Sequence, residues 1–140
     1  MRRWEERQRE RPFSTGTIQS KFNLMTTAVP GANAAIVFDY MKTPVRYRFV
    51  KITSTNVIIG QVGAIGTDPA GTLATIPLKL TPNAVHTVKV VINTSGRVNV
   101  FLDGSKKVLV GFTFKTKSAG QIGLQATNSK TQFDDFLSSK

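Results

Sequence analysis

At 140 residues with no cysteine, the chain is long enough to form one domain with its own hydrophobic core, without disulfides, thiolate metal sites or cysteine nucleophiles. Its formal charge of +11 favours polyanionic partners, although lysines dispersed along a chain are also typical of a solvated surface. No run reaches the roughly 18 apolar residues of a membrane span, and the first residues lack the apolar segment of a signal peptide.

The first twelve residues differ in composition from the rest of the chain. They contain five Arg and all three Glu of the sequence, with almost no apolar stripe to dock on a core, and Pro12 ends any helix near Arg11. This composition predicts a frayed or disordered basic arm over residues 1–12, followed by a single β-sandwich domain over residues 13–140. The arm is either a tether for RNA or a protein partner, or a solvated tail, or a gene start placed upstream of an incomplete domain.

The remainder of the chain is predicted to be short β-strands with no convincing helix. Apolar residues alternate with polar ones, and Gly, Pro, Asn or Asp separate one segment from the next. About ten strands are expected, over residues 17–28, 34–40, 45–53, 56–62, 72–76, 86–92, 98–102, 108–114, 120–126 and 132–137. Regular spacing of such strands predicts an all-β fold, an antiparallel β-sandwich.

Residues 86–114 show the strongest of these patterns and predict a meander of three antiparallel strands. The alternation is interrupted at Ser95-Gly96 and at Asp103-Gly104, pairs that supply the positive φ of tight hairpin turns. Each of the three strands therefore offers one apolar face to the core.

Alternation also assigns side chains to the two faces of each strand. Those assigned to the core are Ile36, Phe38, Tyr47, Phe49, Val88, Val90, Ile92, Val98, Val100, Leu102, Ile122 and Leu124.

The polar side chains that alternation turns outward beside the central strands are the candidate ligand-binding residues. They are Asp39, Arg46, Arg48, Lys89 and Asn99. Arg46 and Arg48 are two positions apart and share a face, where their guanidinium groups can bind the carboxylates or sulfates of an acidic glycan in a bidentate manner. The alternative is that these arginines protect a strand edge and aid solubility.

Six segments carry a further pattern in their order and spacing. They are NAAIVFDY at 33–40, VRYRF at 45–49, HTVKVV at 86–91, VNVFLDG at 98–104, GQIGL at 120–124 and QFDDF at 132–136. Together they resemble the concanavalin A-like lectin/glucanase modules, or laminin G-like jelly rolls, of large bacterial surface and secreted proteins. The resemblance implies a two-sheet jelly roll, usually non-catalytic, that binds carbohydrate or serves in adhesion. Such modules usually begin with one or two further strands. The resemblance therefore leaves open whether the domain is truncated at its N-terminal edge.

The carboxylates of the chain do not form a glycosidase pair. Glucanases with this fold act through two glutamates on one strand, because glycoside hydrolysis needs an acid and a second carboxylate at a set separation. Residues 13–140 contain no Glu, and their five Asp offer no such pair. The single histidine, His86, has no carboxylate at a sequence spacing that would indicate a catalytic pair. No catalytic residue is predicted, and the chain is expected not to be an enzyme.

The resemblance also implies a structural Ca²⁺, which related modules often hold near their first and last strands. Asp134 or Asp135, together with Asn128, would supply some of the oxygen ligands that Ca²⁺ requires. The alternative is that one of these aspartates faces solvent and the other caps backbone amides. No other cofactor is expected.

Two classes of function remain. The first is a carbohydrate-binding or adhesion module, extracellular or at the cell surface as part of a longer protein, with a glycan, such as an acidic polysaccharide, as its partner. The second is a polyanion-binding, coat-like jelly roll with a basic arm. Exposed aromatic rings on one sheet would favour the first, and steeply salt-dependent binding would favour the second.

Overall fold

The computed structural model consists of two antiparallel β-sheets packed face to face. It describes residues 2–3, 15–23, 33–81, 84–116, 120–127 and 132–139, and for residues 2–3, 126–127 and 132–139 it describes the backbone only. The strands are β1 (Arg2–Arg3), β2 (Gly16–Asn23), β3 (Asn33–Lys42), β4 (Val45–Thr53), β5 (Asn56–Val62), β6 (Gly71–Pro77), β7 (His86–Ile92), β8 (Arg97–Leu102), β9 (Val110–Thr113), β10 (Gln121–Thr127) and β11 (Gln132–Ser139). No helix occurs in these ranges, so the expected all-β sandwich is confirmed.

One sheet has six strands and the other has five. The six-stranded sheet has the order β1-β10-β3-β4-β5-β6, and the five-stranded sheet has the order β11-β2-β7-β8-β9. All pairings are antiparallel. Strands from distant parts of the sequence are therefore neighbours in both sheets, as in a jelly roll.

The meander of β7, β8 and β9 forms as predicted. Gly96 has φ 88° in the connection 93–96, and Asp103 and Gly104 have φ 53° and 74° at the start of the connection 103–109, so both predicted turns contain the positive φ that tight turns need. The third strand is shorter than expected, because only Val110–Thr113 pairs with β8. The second connection is therefore longer than a tight hairpin turn.

The hydrophobic core lies between the two sheets. Nine of the twelve predicted core residues are buried in it, and Leu102 packs against it partly buried: the nine are Ile36, Phe38, Val88, Val90, Ile92, Val98, Val100, Ile122 and Leu124. Ile18 and Phe22 of β2, with Val57 and Ile59 of β5, also belong to this core. Tyr47 and Phe49 are not part of it, for a reason that concerns the candidate site.

The start of the chain touches the fold at one sheet edge. Arg2 and Arg3 form β1, which pairs with Gln125 and Leu124 of β10. The rest of the predicted arm, residues 4–12, lies outside the described residues. The expectation of a frayed arm therefore stays a prediction.

Candidate functional site

In strand β4, the face that lies against the core is the opposite of the one that alternation predicted. Arg48, Val50 and Ile52 are buried, whereas Tyr47 and Phe49 are only half-buried. The assignment of Tyr47 and Phe49 to the core, and of Arg48 to the outer surface, was therefore wrong. Arg46 and Arg48, which were predicted to share an outward face, therefore do not form an outward pair of cations.

Arg48 is the centre of a buried polar cluster, which we call the Arg48 cluster (Asp39, Arg48, Gln61 and Asp68). Its Nη1 donates to Asp39 Oδ2 at 3.0 Å and its Nη2 to Asp68 Oδ2 at 3.0 Å. Its Nε donates to Gln61 Oε1 at 2.9 Å, and Nη2 also donates to the Thr116 carbonyl at 2.7 Å. Since a buried cation is tolerated only when paired and hydrogen-bonded, these partners explain why an arginine lies inside the sandwich.

An aromatic ring completes the surroundings of the guanidinium. The Arg48 Cζ atom lies 4.1 Å from the centroid of the Phe114 ring, and Phe114 in turn packs edge-on against Phe38. A guanidinium over a ring face gains a cation–π interaction that is stronger when both groups are desolvated. Arg48 therefore joins the six-stranded sheet to the segment that follows β9 in the other sheet.

Asp39 reaches the interior because of a β-bulge in β3. Phe38 pairs with Arg48 and Met41 with Arg46, so Asp39 and Tyr40 together lie opposite the single residue Tyr47. Asp39 has φ 56°, a conformation that Asp and Asn adopt more readily than most residues. The extra residue turns Asp39 inward and Tyr40 outward.

Gly120 allows this bulge to pack closely against the end of β10. A Cβ atom at position 120 would lie 2.6 Å from the Asp39 carbonyl carbon and from the Tyr40 oxygen, which are backbone atoms. Only glycine fits there without displacing the bulge.

The environment of Asp39 disfavours its charge. Burial raises the pKa of Asp39 to about 6, although the charge of Arg48 and its hydrogen bond act to lower that pKa. Arg48 is shared with a second carboxylate, Asp68, and so it compensates Asp39 only in part. Asp39 therefore changes its protonation state close to neutral pH.

The five predicted ligand-binding residues do not form one surface. Asp39 and Arg48 are buried partners, and Arg46 lies on the same side of β4 but is half-exposed, with no hydrogen-bond partner for its Nε among the described residues. Lys89 and Asn99 lie on the outer face of the other sheet. There Lys89 Nζ lies 4.7 Å from the Phe101 ring centroid, and the Asn99 side chain accepts a hydrogen bond from Arg97 Nε.

The outer face of the six-stranded sheet carries a row of three aromatic rings, two of which, Tyr47 and Phe49, were predicted to lie in the core. We call it the aromatic row (Tyr40, Tyr47 and Phe49). The rings of Tyr40 and Tyr47 stack with centroids 5.8 Å apart, and Tyr47 meets Phe49 edge-on at 6.3 Å. Lys51 continues the row, with its Nζ 5.3 Å from the Phe49 centroid.

Small residues on either side of Phe49 keep this face shallow. Val37 and then Gly123 lie next to Phe49 on one side, and Gly60 lies on the other. A Cβ at position 60 would lie 2.5 Å from Phe49 Cζ. The ring therefore lies flat across the glycine, and half-exposed rings on a shallow sheet face offer a stacking surface for an apolar ring face.

The predicted calcium ligands lie outside the part of the chain whose side chains are described. Asn128 is not among the described residues, and Asp134 and Asp135 are described in backbone only, within β11. Among the described residues, no three His, Cys, Asp or Glu side chains are grouped as a metal site would require. The calcium site stays a prediction.

His86 has a carboxylate partner that its sequence spacing did not reveal. Its Nδ1 lies 2.9 Å from Asp103 Oδ2, because the antiparallel pairing of β7 with β8 brings the end of β8 beside the start of β7. The second Asp103 oxygen accepts a hydrogen bond from the Thr87 amide at 2.9 Å. These contacts join the open ends of the two strands.

The described residues contain no helix long and apolar enough to cross a membrane. No protein-family model and no curated protein sequence matches the chain.

Solved structures define the class of fold. The carbohydrate binding module CBM66 from Bacillus subtilis is similar over 93% of this chain and 78% of its own, with 15% identity and a TM-score of 0.77. A human galectin-16 variant is similar over 92% of both chains, with 11% identity and a TM-score of 0.65. A Bacillus licheniformis β-glucanase is similar over 83% of this chain and 55% of its own, with 12% identity and a TM-score of 0.54. The fold is the concanavalin A-like jelly roll, as the six sequence segments implied.

Proposed function

We propose that this chain is a non-catalytic carbohydrate-binding module whose ligand lies on the aromatic row. The observation that carries the proposal is the half-exposed ladder of Tyr40, Tyr47 and Phe49 on a sheet face made shallow by Gly60. Aromatic rings with a polar edge or a polar neighbour are suited to ligands that have one apolar and one hydroxylated face. The fold supports the same function, because a solved structure of this fold is named as a carbohydrate binding module.

The charge of the surface supports the proposal of an acidic polysaccharide as the ligand. Two of the described aspartates, Asp39 and Asp68, are buried on Arg48, and Asp103 is engaged by His86 and a backbone amide. The described lysines are exposed or half-exposed, and Lys51 lies directly beside Phe49. A ligand with carboxylates or sulfates would meet a positive field as well as a stacking surface. The finer roles of adhesion and an extracellular location are part of this proposal.

The experiment is binding to an array of neutral and acidic glycans at two salt concentrations, with the wild type and the Tyr47→Ala/Phe49→Ala double variant. The double variant is expected to lose at least about tenfold in affinity, equivalent to roughly 1.4 kcal/mol. Phe101→Ala is the matched control, since Phe101 is a half-buried ring beneath a lysine on the opposite sheet. Equal loss in both variants, or no loss in the double variant, would contradict the proposal.

The positive charge also favours a second candidate, a coat-like protein that binds polyanions without regard to sugar. In that case affinity for all acidic polymers, nucleic acid included, would fall together and steeply with salt. The Tyr47→Ala/Phe49→Ala variant would then bind as the wild type does. Retained selectivity among glycans at the higher salt concentration would exclude this candidate.

A further inference from the structure

A cavity lies between the two sheets, on the inner side of β3 and β4 and away from the aromatic row. Its volume is about 300 Å³, and its lining includes Phe38, Asp39, Arg48, Asn93, Val98 and Phe114. The turn between β7 and β8 borders it, with Thr94 exposed on that turn. A volume of this size is at the lower end of those that hold small ligands.

Two buried groups of opposite charge lie side by side in this cavity. Asp39 is 4% exposed and Arg48 is 3% exposed. Among the described residues, the hydrogen bond to the Asp39 carboxylate is the one from Arg48 Nη1 to Oδ2, which leaves Oδ1 as an acceptor. A guanidinium has five N–H groups, and the described partners of Arg48 account for one on Nε, one on Nη1 and two on Nη2. One Nη1 N–H therefore remains as a donor next to the Asp39 carboxylate.

The charges of the Arg48 cluster decide which chemistry fits this pair. One arginine and two aspartates sum to a net negative charge, so an anionic ligand would be repelled. An ammonium group could use Asp39 but has no lone pair to accept from Arg48, and it would lie beside the guanidinium charge. A hydroxyl group can donate to Asp39 Oδ1 and accept from Arg48 Nη1 at the same time, without adding charge to a buried site.

The rest of the cavity wall is suited to the body of such a ligand. Phe38, Val98 and Phe114 present apolar surface, while Asn93 and Thr94 add polar groups near the turn. A ring with C–H groups on one side and hydroxyls on another would contact both kinds of wall. The backbone conformation of Asp39, with φ 56°, is of the uncommon kind that clusters at ligand sites.

From these observations we propose that the cavity is a second ligand site, which takes one neutral, hydroxyl-bearing ring the size of a single sugar unit. Its key hydroxyl donates to Asp39 Oδ1 and accepts from Arg48 Nη1. The proposal does not rest on the aromatic row, because the two sites lie on opposite faces of the six-stranded sheet.

The test is a titration of the isotope-labelled protein with glucose, galactose, mannose and fructose, followed by amide resonances. At least one of the four sugars is expected to shift the resonances of Asn93, Gly96 and Val98, and to lower the pKa of Asp39, read from its carboxyl carbon, below its value of about 6. Arg48 is the charged group packed on Asp39 among the described residues. Shifts confined to other regions with all four sugars would overturn the proposal.

Two variants separate a specific site from general weak binding. Asp39→Asn keeps an oxygen for Arg48 and tolerates positive φ, but loses the charged acceptor, and is expected to weaken sugar binding about tenfold or more. Thr94→Trp blocks the cavity from an exposed turn position, so it is expected to abolish binding without unfolding the protein. Wild-type affinity in Thr94→Trp would refute the proposal even if Asp39→Asn did not fold.

A third variant distinguishes this site from the aromatic row. Phe49→Ala is expected to leave monosaccharide shifts at Asn93 and Val98 unchanged, whatever it does to polysaccharide binding. If Phe49→Ala removed those shifts, the sugar would be held on the outer face, and the cavity proposal would fail while the proposed function stood.

Discussion

Arg48 Nη2 lies 3.0 Å from Asp68 Oδ2, and this ion pair ties β4 to the loop between β5 and β6. Both oxygens of Asp68 are also used by backbone amides, Oδ1 by Lys115 and Oδ2 by Thr116. Because those amides follow β9, one carboxylate connects the two sheets of the sandwich. The Arg48 cluster is thus a structural cross-link as well as the floor of a cavity.

Removal of the Arg48 charge is expected to destabilise the fold strongly. Arg48→Met would leave Asp39 and Asp68 buried without their cation, and such a loss typically costs about 3 to 5 kcal/mol in the free energy of unfolding. Urea denaturation of the variant and the wild type measures this cost.

Arg46→Met is the matched control for that substitution. Arg46 lies two positions earlier on the same strand and the same side, and its Nε has no described hydrogen-bond partner, so the expected cost is below about 1 kcal/mol. Equal costs for the two variants would show that the Arg48 cluster does not stabilise the protein.

The raised pKa of Asp39 predicts a pH dependence of stability. The pKa rises from 3.8 in the reference state to about 6 in the fold, so between these values the folded protein holds the proton more tightly than the unfolded chain does. The contribution of Asp39 to the free energy of unfolding therefore falls as the pH rises from about 4 to about 6, by up to about 3 kcal/mol, and is flat above pH 7.

Comparison of the wild type with Asp39→Asn isolates this contribution, since other groups titrate in both proteins. The difference in the free energy of unfolding between the two is expected to change with pH only within that window. A difference that stays constant from pH 4 to pH 7 would mean that Asp39 keeps an ordinary pKa.

The positions of the strands were predictable from the sequence, whereas the face of β4 that is buried was not. Alternation located the strands because each buries one face. Within β4, however, Val45, Tyr47 and Phe49 form one alternating set, and Val50 and Ile52 form another. Both sets are apolar, so the pattern of this strand alone does not decide which face is buried.

The deciding contacts come from outside the strand. Arg48 can be buried because Asp39 and Asp68, 9 and 20 positions away, converge on it. Asp39 converges only through the bulge in β3, which a strict two-residue period does not allow for. One signal was present in the sequence: Lys51 lies between Val50 and Ile52. A lysine at that position favours burial of the face that carries Val50 and Ile52, as observed. The sequence interpretation consequently placed the rings of Tyr47 and Phe49 in the core and the charge of Arg48 on the surface, the reverse of what is observed.

Deletion of residues 1–12 is expected to leave the melting temperature nearly unchanged. Within this segment, the described residues Arg2 and Arg3 pair with β10, and a two-residue strand offsets little of the entropy lost in ordering the segment. Differential scanning calorimetry of the shortened chain tests this. A decrease of several degrees would show that the arm is docked on the sandwich as a further strand.

Calcium is expected to raise the melting temperature if Asp134 and Asp135 supply ligands with Asn128. Binding to the folded state alone stabilises it in proportion to the logarithm of the metal concentration. Thermal unfolding in excess Ca²⁺ and in chelator measures the effect. Asp134→Asn/Asp135→Asn should remove it, and identical melting curves for the wild type in both buffers would refute the expectation.

Asp39 and Tyr40 are consecutive residues, yet one lines the cavity and the other belongs to the aromatic row. A single peptide unit therefore separates the two surfaces. Rotation of that unit, against which Gly120 packs closely, would displace an interior carboxylate and an exterior ring together. A ligand that moved this peptide unit from one side of the sheet would therefore also move the side chain on the other side, over the thickness of one strand.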